Sequence, residues 1–309
     1  MTIPSDPGVV QAAASTTAAP PVSAIPRRHG VMQSAARRDQ LTRLLLYALL
    51  ILGAVLALLP MVWMLSASLM PSGEASTFPP HFFPSRVTFA HYSDLFTRLN
   101  LGKYLLNSAF VALVVTFASL AINSMAGYAF AKLRFRGRDR LFRMLSTGLV
   151  LPVQVAMLPL FLLLKNLHLI NTYWGVIIPG MASIFGIFLV RQYALAIPDE
   201  MLDAARVDGA SEFRIFWSIV VPGIVPILAT LSIWTFLATW NDFMWPLIVL
   251  SDESHYTLPV ALANLAGEHV QDTELMMAGS VLTVIPVMLV FLFLQRYYIQ
   301  GVMAGSVKG

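Results

Sequence analysis

The stretch DEMLDAARVDGASEFRIFWSIVVP, residues 199–222, is charged and rich in alanine, and it lies between two long apolar segments. In the whole chain 57% of the residues are hydrophobic and only 12% are charged. A soluble globular domain carries about 25% charged residues. We therefore expect the apolar segments to lie in a lipid bilayer, with the quoted stretch as a polar connection between two of them.

The overall charge and the cysteine content exclude several kinds of protein. The formal net charge is only +4, which gives no indication of nucleic-acid binding. The chain has no cysteine, so it contains neither a disulfide framework nor a thiolate metal site.

Six segments are long and apolar enough to cross a membrane, which requires about 20 residues. They comprise residues 44–66, 104–131, 144–164, 173–194, 215–240 and 275–295. These segments are continuously apolar rather than alternating, unlike the strands of an outer-membrane barrel. The predicted fold class is an all-α integral membrane protein with six transmembrane helices.

Residues 1–40 differ in composition from the rest of the chain. They are rich in Ala, Ser, Thr and Pro and have no periodic apolar face, which is typical of a flexible tail. The uncharged run Leu44–Leu65 that follows is longer than the apolar region of a secretory signal, about 7–15 residues. We favour an uncleaved helix, and a signal peptide cleaved at SAS, residues 66–68, is the alternative.

Basic residues predict the orientation, because Lys and Arg concentrate on the cytoplasmic side of membrane proteins. With the N-terminus inside, 16 of the 20 basic residues fall on the inner side. The outer side keeps Arg86, Arg98, Lys103 and Lys165. Both termini, and residues 199–222 with them, are therefore predicted to be cytoplasmic.

Local signals predict a helix, a turn and a second helix in the quoted stretch. Pro198 suits the start of the first helix, Gly209 suits its end, and Ser211 suits the cap of the second. Pro222 and Pro226 interrupt the hydrogen-bond ladder at the start of the fifth span, which predicts a kink. A slim helix with flanking charges suits the docking of a partner, and an ordinary interfacial loop helix is the alternative.

The residues of this stretch resemble the EAA loop of ABC importer permeases. That loop has an acidic residue, two alanines, a glycine four residues later, and then a β-branched residue and a proline at fixed spacing. Here these positions are Asp203, Ala204, Ala205, Gly209, Ile219 and Pro222. Asp203 departs from the usual Glu, and Val221 stands where Leu is common.

Four other stretches are similar to the carbohydrate-uptake branch of these permeases, specifically to its maltose-permease-like six-span subunit. They are residues 107–142, residues 151–180, WNDFMWPLIVL at 240–250 and the GSVKG ending. The resemblance implies an ABC importer type I permease fold over residues 41–300, with a coupling loop at 198–217. An importer of a non-sugar solute is the alternative within the family.

The resemblance also implies partners. These are a second homologous permease subunit in a heterodimer, two ATP-binding subunits that carry ATP and Mg, and an external solute-binding protein, all at a bacterial inner membrane. The chain itself has no phosphate-binding G-x-x-x-x-G-K-[ST] motif and is expected to bind no cofactor. The tail 301–309 is expected to reach the ATPase, with a frayed end as the alternative.

The implied contacts with the ATPase lie in the coupling loop. The candidates are Asp203, Ala204, Ala205, Arg206, Asp208, Gly209, Ala210, Phe213 and Phe216.

Polar and aromatic residues in or beside the spans are the candidates for a substrate pathway. They are Asn123, Gln154, Trp240, Asn241 and Asp242. The alternatives are hydrogen bonds between helices for the amides and an interfacial belt for the tryptophan. Neither a metal site nor a nucleophile–base pair is indicated, so we expect a transport subunit rather than an enzyme. A self-sufficient channel or ion-driven carrier is the alternative class. Such a carrier is expected to have carboxylates inside its spans, and apart from Asp242 near the outer end these spans contain no acidic residue.

The outer segment 67–103 is predicted to contain a short helix behind a Thr88 cap. Phe89, Tyr92 and Phe96 are expected to share the face that packs on the spans.

Overall fold

The computed structural model describes the backbone of residues 29–79, 81–268 and 272–306, and these ranges are helical and contain no β-strand. The α-helices are α1 His29–Ala67, α2 Ala90–Thr97, α3 Leu101–Lys132, α4 Arg138–Thr147, α5 Val153–Asn166, α6 Tyr173–Gly180, α7 Ile184–Leu195, α8 Asp199–Val207, α9 Glu212–Ile215, α10 Val221–Trp240, α11 Met244–Val249, α12 Leu258–Glu268 and α13 Thr273–Ser306.

Helices long and apolar enough to cross a membrane lie where the sequence predicts spans. They cover residues Gln40–Ala67, Leu101–Lys132, Tyr173–Leu195, Glu212–Trp240 and Thr273–Phe293, and a bent pair of helices makes a sixth. Helix α1 begins at His29, within the segment predicted as a tail, and residues 1–28 lie outside the described ranges. Helix α13 continues to Ser306 through most of the predicted C-terminal tail.

The third span differs from its prediction as one straight helix over residues 144–164. The chain bends by 107° between Arg138–Val150 and Val153–Asn166. Leu151, which precedes Pro152, is extended with φ −82° and ψ 124°, because the proline ring disfavours helical backbone at the residue before it. Helix α5, the apolar arm of the bend, has 14 residues and is about 21 Å long. The charged helix α4 turns away from it.

The fourth span is interrupted between α6 and α7. Ser183 caps α7 by accepting a hydrogen bond from the Gly186 N–H at 2.8 Å. The Asn123 side chain of α3 accepts the N–H of Ser183 at 3.1 Å. Because backbone groups inside a membrane have no water to bond, the amide replaces the partner that the interruption removes. A Cβ at Gly186 would collide with the same Asn123 side chain, so glycine permits this close approach.

The fifth span starts irregularly. A π-helical turn, Phe216–Val220, joins α9 to α10, and Pro222 lies in the first turn of α10. The disturbance predicted from the two prolines therefore takes the form of a π turn, and α10 continues unbroken past Pro226.

Helix α2 packs on the spans, but of the three aromatic residues predicted to do so only Tyr92 packs against the core. His91 and Leu95 are buried, while Phe89 and Phe96 are largely exposed. The Thr88 hydroxyl accepts the N–H of Ala90 at 3.2 Å. The ring of His91 is held by the carbonyl of Met70 at 2.9 Å, a polar contact that an aromatic periodicity does not reveal.

Candidate functional site

The polar loop 198–217, here called the elbow, folds as two helices around a defined turn. Gly209 has a φ of +80°. Its N–H donates to the Arg206 carbonyl at 3.0 Å, and the Ala210 N–H donates to the Ala205 carbonyl at 2.9 Å. This pair of bonds is the Schellman motif that ends many helices at a glycine. Ser211 then caps α9 by accepting the Arg214 N–H at 3.3 Å, so both local predictions are confirmed.

The elbow has an anchored face and an open face. Leu202 of α8 and Ile215 of α9 are buried in a core cluster formed with residues of α3, α7 and α10. On the other side, Val207 and Phe213 are 87% and 68% exposed. The elbow is therefore held firmly by its own chain and still has surface for another protein.

An ionic network joins the two helices of the elbow to α3. Arg206 donates to Asp203 Oδ1 and to Glu212 Oε1, both at 2.7 Å. The hydroxyl of Tyr128 in α3 donates to Glu212 Oε2 at 2.6 Å. Hydrogen bonds from the guanidinium to Glu212 and Asp203 raise the pKa of Arg206. The network fixes the angle between α8 and α9 and ties it to a membrane helix.

A second connection joins α3 to the start of α8. The Lys132 ammonium donates to Asp199 Oδ1 at 2.7 Å and to the Ile197 carbonyl at 2.6 Å. Its side chain is almost completely buried, whereas the Asp199 carboxylate is exposed. The hydrogen bond from Lys132 lowers the pKa of Asp199. Lys132 is the last residue of α3, so the end of that helix is bonded directly to the elbow.

The residues predicted to contact an ATPase divide into three groups by position. Those on the open surface are Asp203, Ala204, Asp208, Gly209 and Phe213, and those at its edge are Ala205, Arg206 and Ala210. Phe216 lies elsewhere. It is buried, and its ring is 5.8 Å from that of Tyr128, so Phe216 packs inside its own chain rather than on the open face of the elbow.

Sequence patterns missed Tyr128, Lys132 and Glu212. Glu212 binds a tyrosine that is 84 residues away in the chain, and no spacing rule covers such a pair. Of the three, only Lys132 has a signal in the sequence. A lysine at the end of an apolar span marks a membrane boundary, but it does not show which residue the lysine binds.

The substrate candidates are not brought together in one place. Asn123 is buried and bonded to Ser119 at 2.7 Å as well as to Ser183, as its alternative interpretation predicts. Trp240 is buried, stacks on Phe236 with ring centres 5.7 Å apart, and donates to the Thr283 carbonyl at 3.1 Å. Neither side chain is available to a solute.

Gln154 and Asp242 do line a common cavity. It has a volume of about 380 Å³ and lies among α5, α6 and the end of α10. Burial raises the pKa of Asp242, and backbone N–H groups of Trp245 and Met244 oppose this effect. The neighbouring residue Asn241 is exposed and donates to the Leu237 carbonyl of its own helix at 2.9 Å.

A second cavity adjoins the first and provides the aromatic surface. It has a volume of about 410 Å³ and shares Val115, Gly180 and Thr239 with the first cavity. Trp234 lines it and is 64% exposed, and its ring centre is 6.1 Å from that of Phe185. The two cavities form one groove. Its aromatic lining consists of Trp234, Phe185 and Trp245, and the predicted Trp240 does not line it.

Comparisons with known proteins give a consistent result. Residues 123–303 match the family described as "Binding-protein-dependent transport system inner membrane component". The chain is 39% identical over 259 residues to the arabinooligosaccharides transport system permease protein AraQ of Halalkalibacterium halodurans, covering 83% of this chain and 93% of that protein. It is 33% identical over 271 residues to the lactose transport system permease protein LacG of Rhizobium radiobacter, covering 88% and 98%.

A solved structure agrees with these relatives. A chain of a bacterial ABC transporter involved in the import of the acidic polysaccharide alginate superimposes with a TM-score of 0.76 at 26% identity, covering 85% of this chain and 98% of that one. The apolar spans, the elbow and the sequence match all lead to the same assignment. The chain is a membrane permease rather than an enzyme, and it belongs to the family of binding-protein-dependent transport system inner membrane components.

Proposed function

We propose that this chain is the permease subunit of an ATP-driven importer for a sugar, either a di- or oligosaccharide or a related polyol. The relatives named for arabinooligosaccharides and lactose support this substrate class. The chain contains no phosphate-binding loop, so ATP and Mg are held by two separate ATP-binding subunits. A second homologous permease subunit completes the membrane pore, and an external binding protein delivers the solute.

The elbow couples ATP hydrolysis to movement of the spans. The observation that carries this proposal is the combination of an open face at Val207 and Phe213 with a face anchored through Leu202 and Ile215. A flexible loop could bind an ATPase but would not transmit its movement. Here Lys132 and the Tyr128–Glu212 bond transmit a displacement of α8 and α9 to α3.

The groove beside α10 is the part of the pathway that this chain supplies. Trp234 offers a flat apolar face on which a sugar ring can stack, and Gln154 and Asp242 offer hydrogen-bonding groups for hydroxyls. The partner subunit closes the open side of the groove. Movement of the elbow exposes this pathway alternately to the two sides of the membrane.

Single introduced cysteines test the orientation and the docking together, because the chain has no cysteine of its own. Val207→Cys is the test variant, and Val87→Cys, an exposed valine of the outer segment, is the matched control. In right-side-out membrane vesicles an impermeant maleimide should label only the control variant. After permeabilisation it should label both, and a short thiol cross-linker should join only the variant at position 207 to the ATPase.

The opposite labelling pattern would place the elbow outside the cell and contradict the proposal. The absence of a cross-link from position 207 under turnover conditions, with uptake intact, would contradict the coupling role alone.

A further inference from the structure

A strongly basic segment connects α3 to α5 on the same side of the spans as the elbow. Residues 132–143 contain six Lys or Arg residues and one acidic residue, Asp139. Lys132 is paired with Asp199, and Arg138 is paired with Asp139 at 2.9 Å. The side chain of Arg143 reaches the Asp139 carbonyl at 3.3 Å.

The remaining three basic residues have their charges available. Arg134, Arg136 and Arg140 are exposed, and within the described part of the chain their side chains form no hydrogen bond or ion pair. Arg134 acts on the carboxylate of Asp199 only at longer range. The three arginines surround an open depression with a volume of about 990 Å³. Three guanidinium groups on one surface, none of them bonded to a counter-ion, require an anionic ligand or solvent.

Exposed apolar side chains lie within and directly after the arginine-containing segment of the chain. Met144 of α4 is 68% exposed, and Val150, one turn and a half further on, is 83% exposed. Leu141 and Leu151 are also exposed. Residues 134–151 therefore present both cationic and apolar groups, and the arm of this segment that contains α4 lies at 107° to α5.

Helix α4 is held rigidly in this position by its opposite face. The ring of Phe142 stacks on Phe188 with centres 6.2 Å apart, and the Arg191 guanidinium lies 4.1 Å above the same ring. The exposed mixture of arginine and apolar groups is therefore a fixed surface of the fold.

From these observations we infer that residues 134–151 form a binding surface for anionic phospholipids in the adjoining leaflet. The headgroup phosphates bind Arg134, Arg136 and Arg140, since guanidinium groups bind phosphate oxygens in pairs. The acyl chains cover Leu141 and Met144, as in helices that lie in the membrane interface. An acidic protein surface would match the arginines but would leave the apolar side chains without a partner, so lipid accounts for more of the surface.

The test uses the full chain, extracted in mild detergent together with the subunits that co-purify with it. It is titrated with phosphatidylglycerol and with phosphatidylcholine, and bound lipid is counted by native mass spectrometry. The wild type should prefer phosphatidylglycerol. A triple variant with Arg134→Gln, Arg136→Gln and Arg140→Gln should bind it more weakly by roughly fivefold per arginine, which is about 125-fold for the three together.

Two control variants separate charge from folding. Lysine at the same three positions keeps the charge and should keep most of the binding. Arg86→Gln, Arg98→Gln and Lys103→Gln remove the same charge from the outer side and should leave the preference unchanged.

Three outcomes would overturn the inference. One is a wild type that binds both lipids equally, and another is a glutamine variant with the affinity of the wild type. The third is a glutamine variant that keeps phosphatidylglycerol but loses a co-purifying subunit, which would assign the surface to a protein partner.

Discussion

Replacing Gly209 by valine perturbs the elbow at its turn. The residue has a φ of +80°, a region that costs an L-residue about 1–2 kcal/mol and is a clear outlier for a β-branched side chain. No atom lies within 4 Å of a Cβ built on Gly209. The penalty therefore comes from backbone conformation alone, without a steric clash.

The chain can relieve this strain locally. Leu202 and Ile215 anchor the two sides of the elbow in the core, so the easiest response is a change in the turn between them rather than unfolding. A penalty of 1–2 kcal/mol lowers the ratio of native to altered turn by a factor of about 5–30. We expect ATP-driven sugar uptake in proteoliposomes, and recovery of the ATPase in a pull-down, to fall by up to this factor. The amount of inserted permease should not change.

The chain offers a matched control for the strain itself. Gly73 has a φ of +86°, also has no atom within 4 Å of a built Cβ, and lies in the outer segment. Gly73→Val should therefore leave uptake near the wild-type rate. Gly209→Asn should retain more activity than valine, because asparagine tolerates the left-handed region. Full uptake with an intact complex in Gly209→Val, or an equal loss in Gly73→Val, would refute the reasoning.

Five further substitutions test the contacts inside the protein and the lining of the groove. Tyr128→Phe removes the hydroxyl that binds the Glu212 carboxylate and should lower the free energy of unfolding by about 1–2 kcal/mol. The loss should appear as a lower melting temperature in detergent and as more ATP hydrolysed per sugar transported. Asn123→Leu leaves a backbone N–H of the α6–α7 interruption unbonded and should cost about 1–3 kcal/mol in thermal unfolding, whereas Gln154→Leu should leave the melting temperature unchanged. Trp240→Ala should destabilise the protein by about 3–5 kcal/mol, while Trp234→Ala should reduce uptake at unchanged melting temperature. The reverse pattern for the two tryptophans would contradict the assignment of the groove.

The plan of six spans could be predicted because each span is apolar along its whole length. The bend in the third span could not, since a hydropathy window does not register the direction of the chain. The presence of a proline alone does not determine whether a helix is broken. Pro60, Pro226 and Pro286 lie inside continuous helices, whereas Pro152 separates two helices. What distinguishes Pro152 is the packing of α4 on α7 through Phe142, which is a tertiary contact.

The candidate site shows the same division between local and long-range information. The roles of Gly209 and Ser211 follow from rules about adjacent backbone groups, and the structure confirms both. The hydrogen-bond partners of Asn123 do not follow from such rules, because Ser183 lies 60 residues away in the chain. Which of the two tryptophans, Trp240 or Trp234, lines the groove also depends on packing. Both are in α10, six residues apart, and only the neighbouring helices determine which one is covered.

The connections of the elbow also indicate how its displacement reaches the groove. Helix α3 is bonded to the elbow through Lys132 and carries Val115, which lines both cavities. These residues are 17 positions apart, about 26 Å along a helix. Helix α10 continues from the elbow through the π turn and carries Trp234 and Thr239 on the other wall. Among the described residues, no hydrogen bond joins the elbow to helix α5, which supplies Gln154. A displaced elbow would therefore move the walls formed by α3 and α10 relative to α5, and such relative movement is what opens or closes a groove.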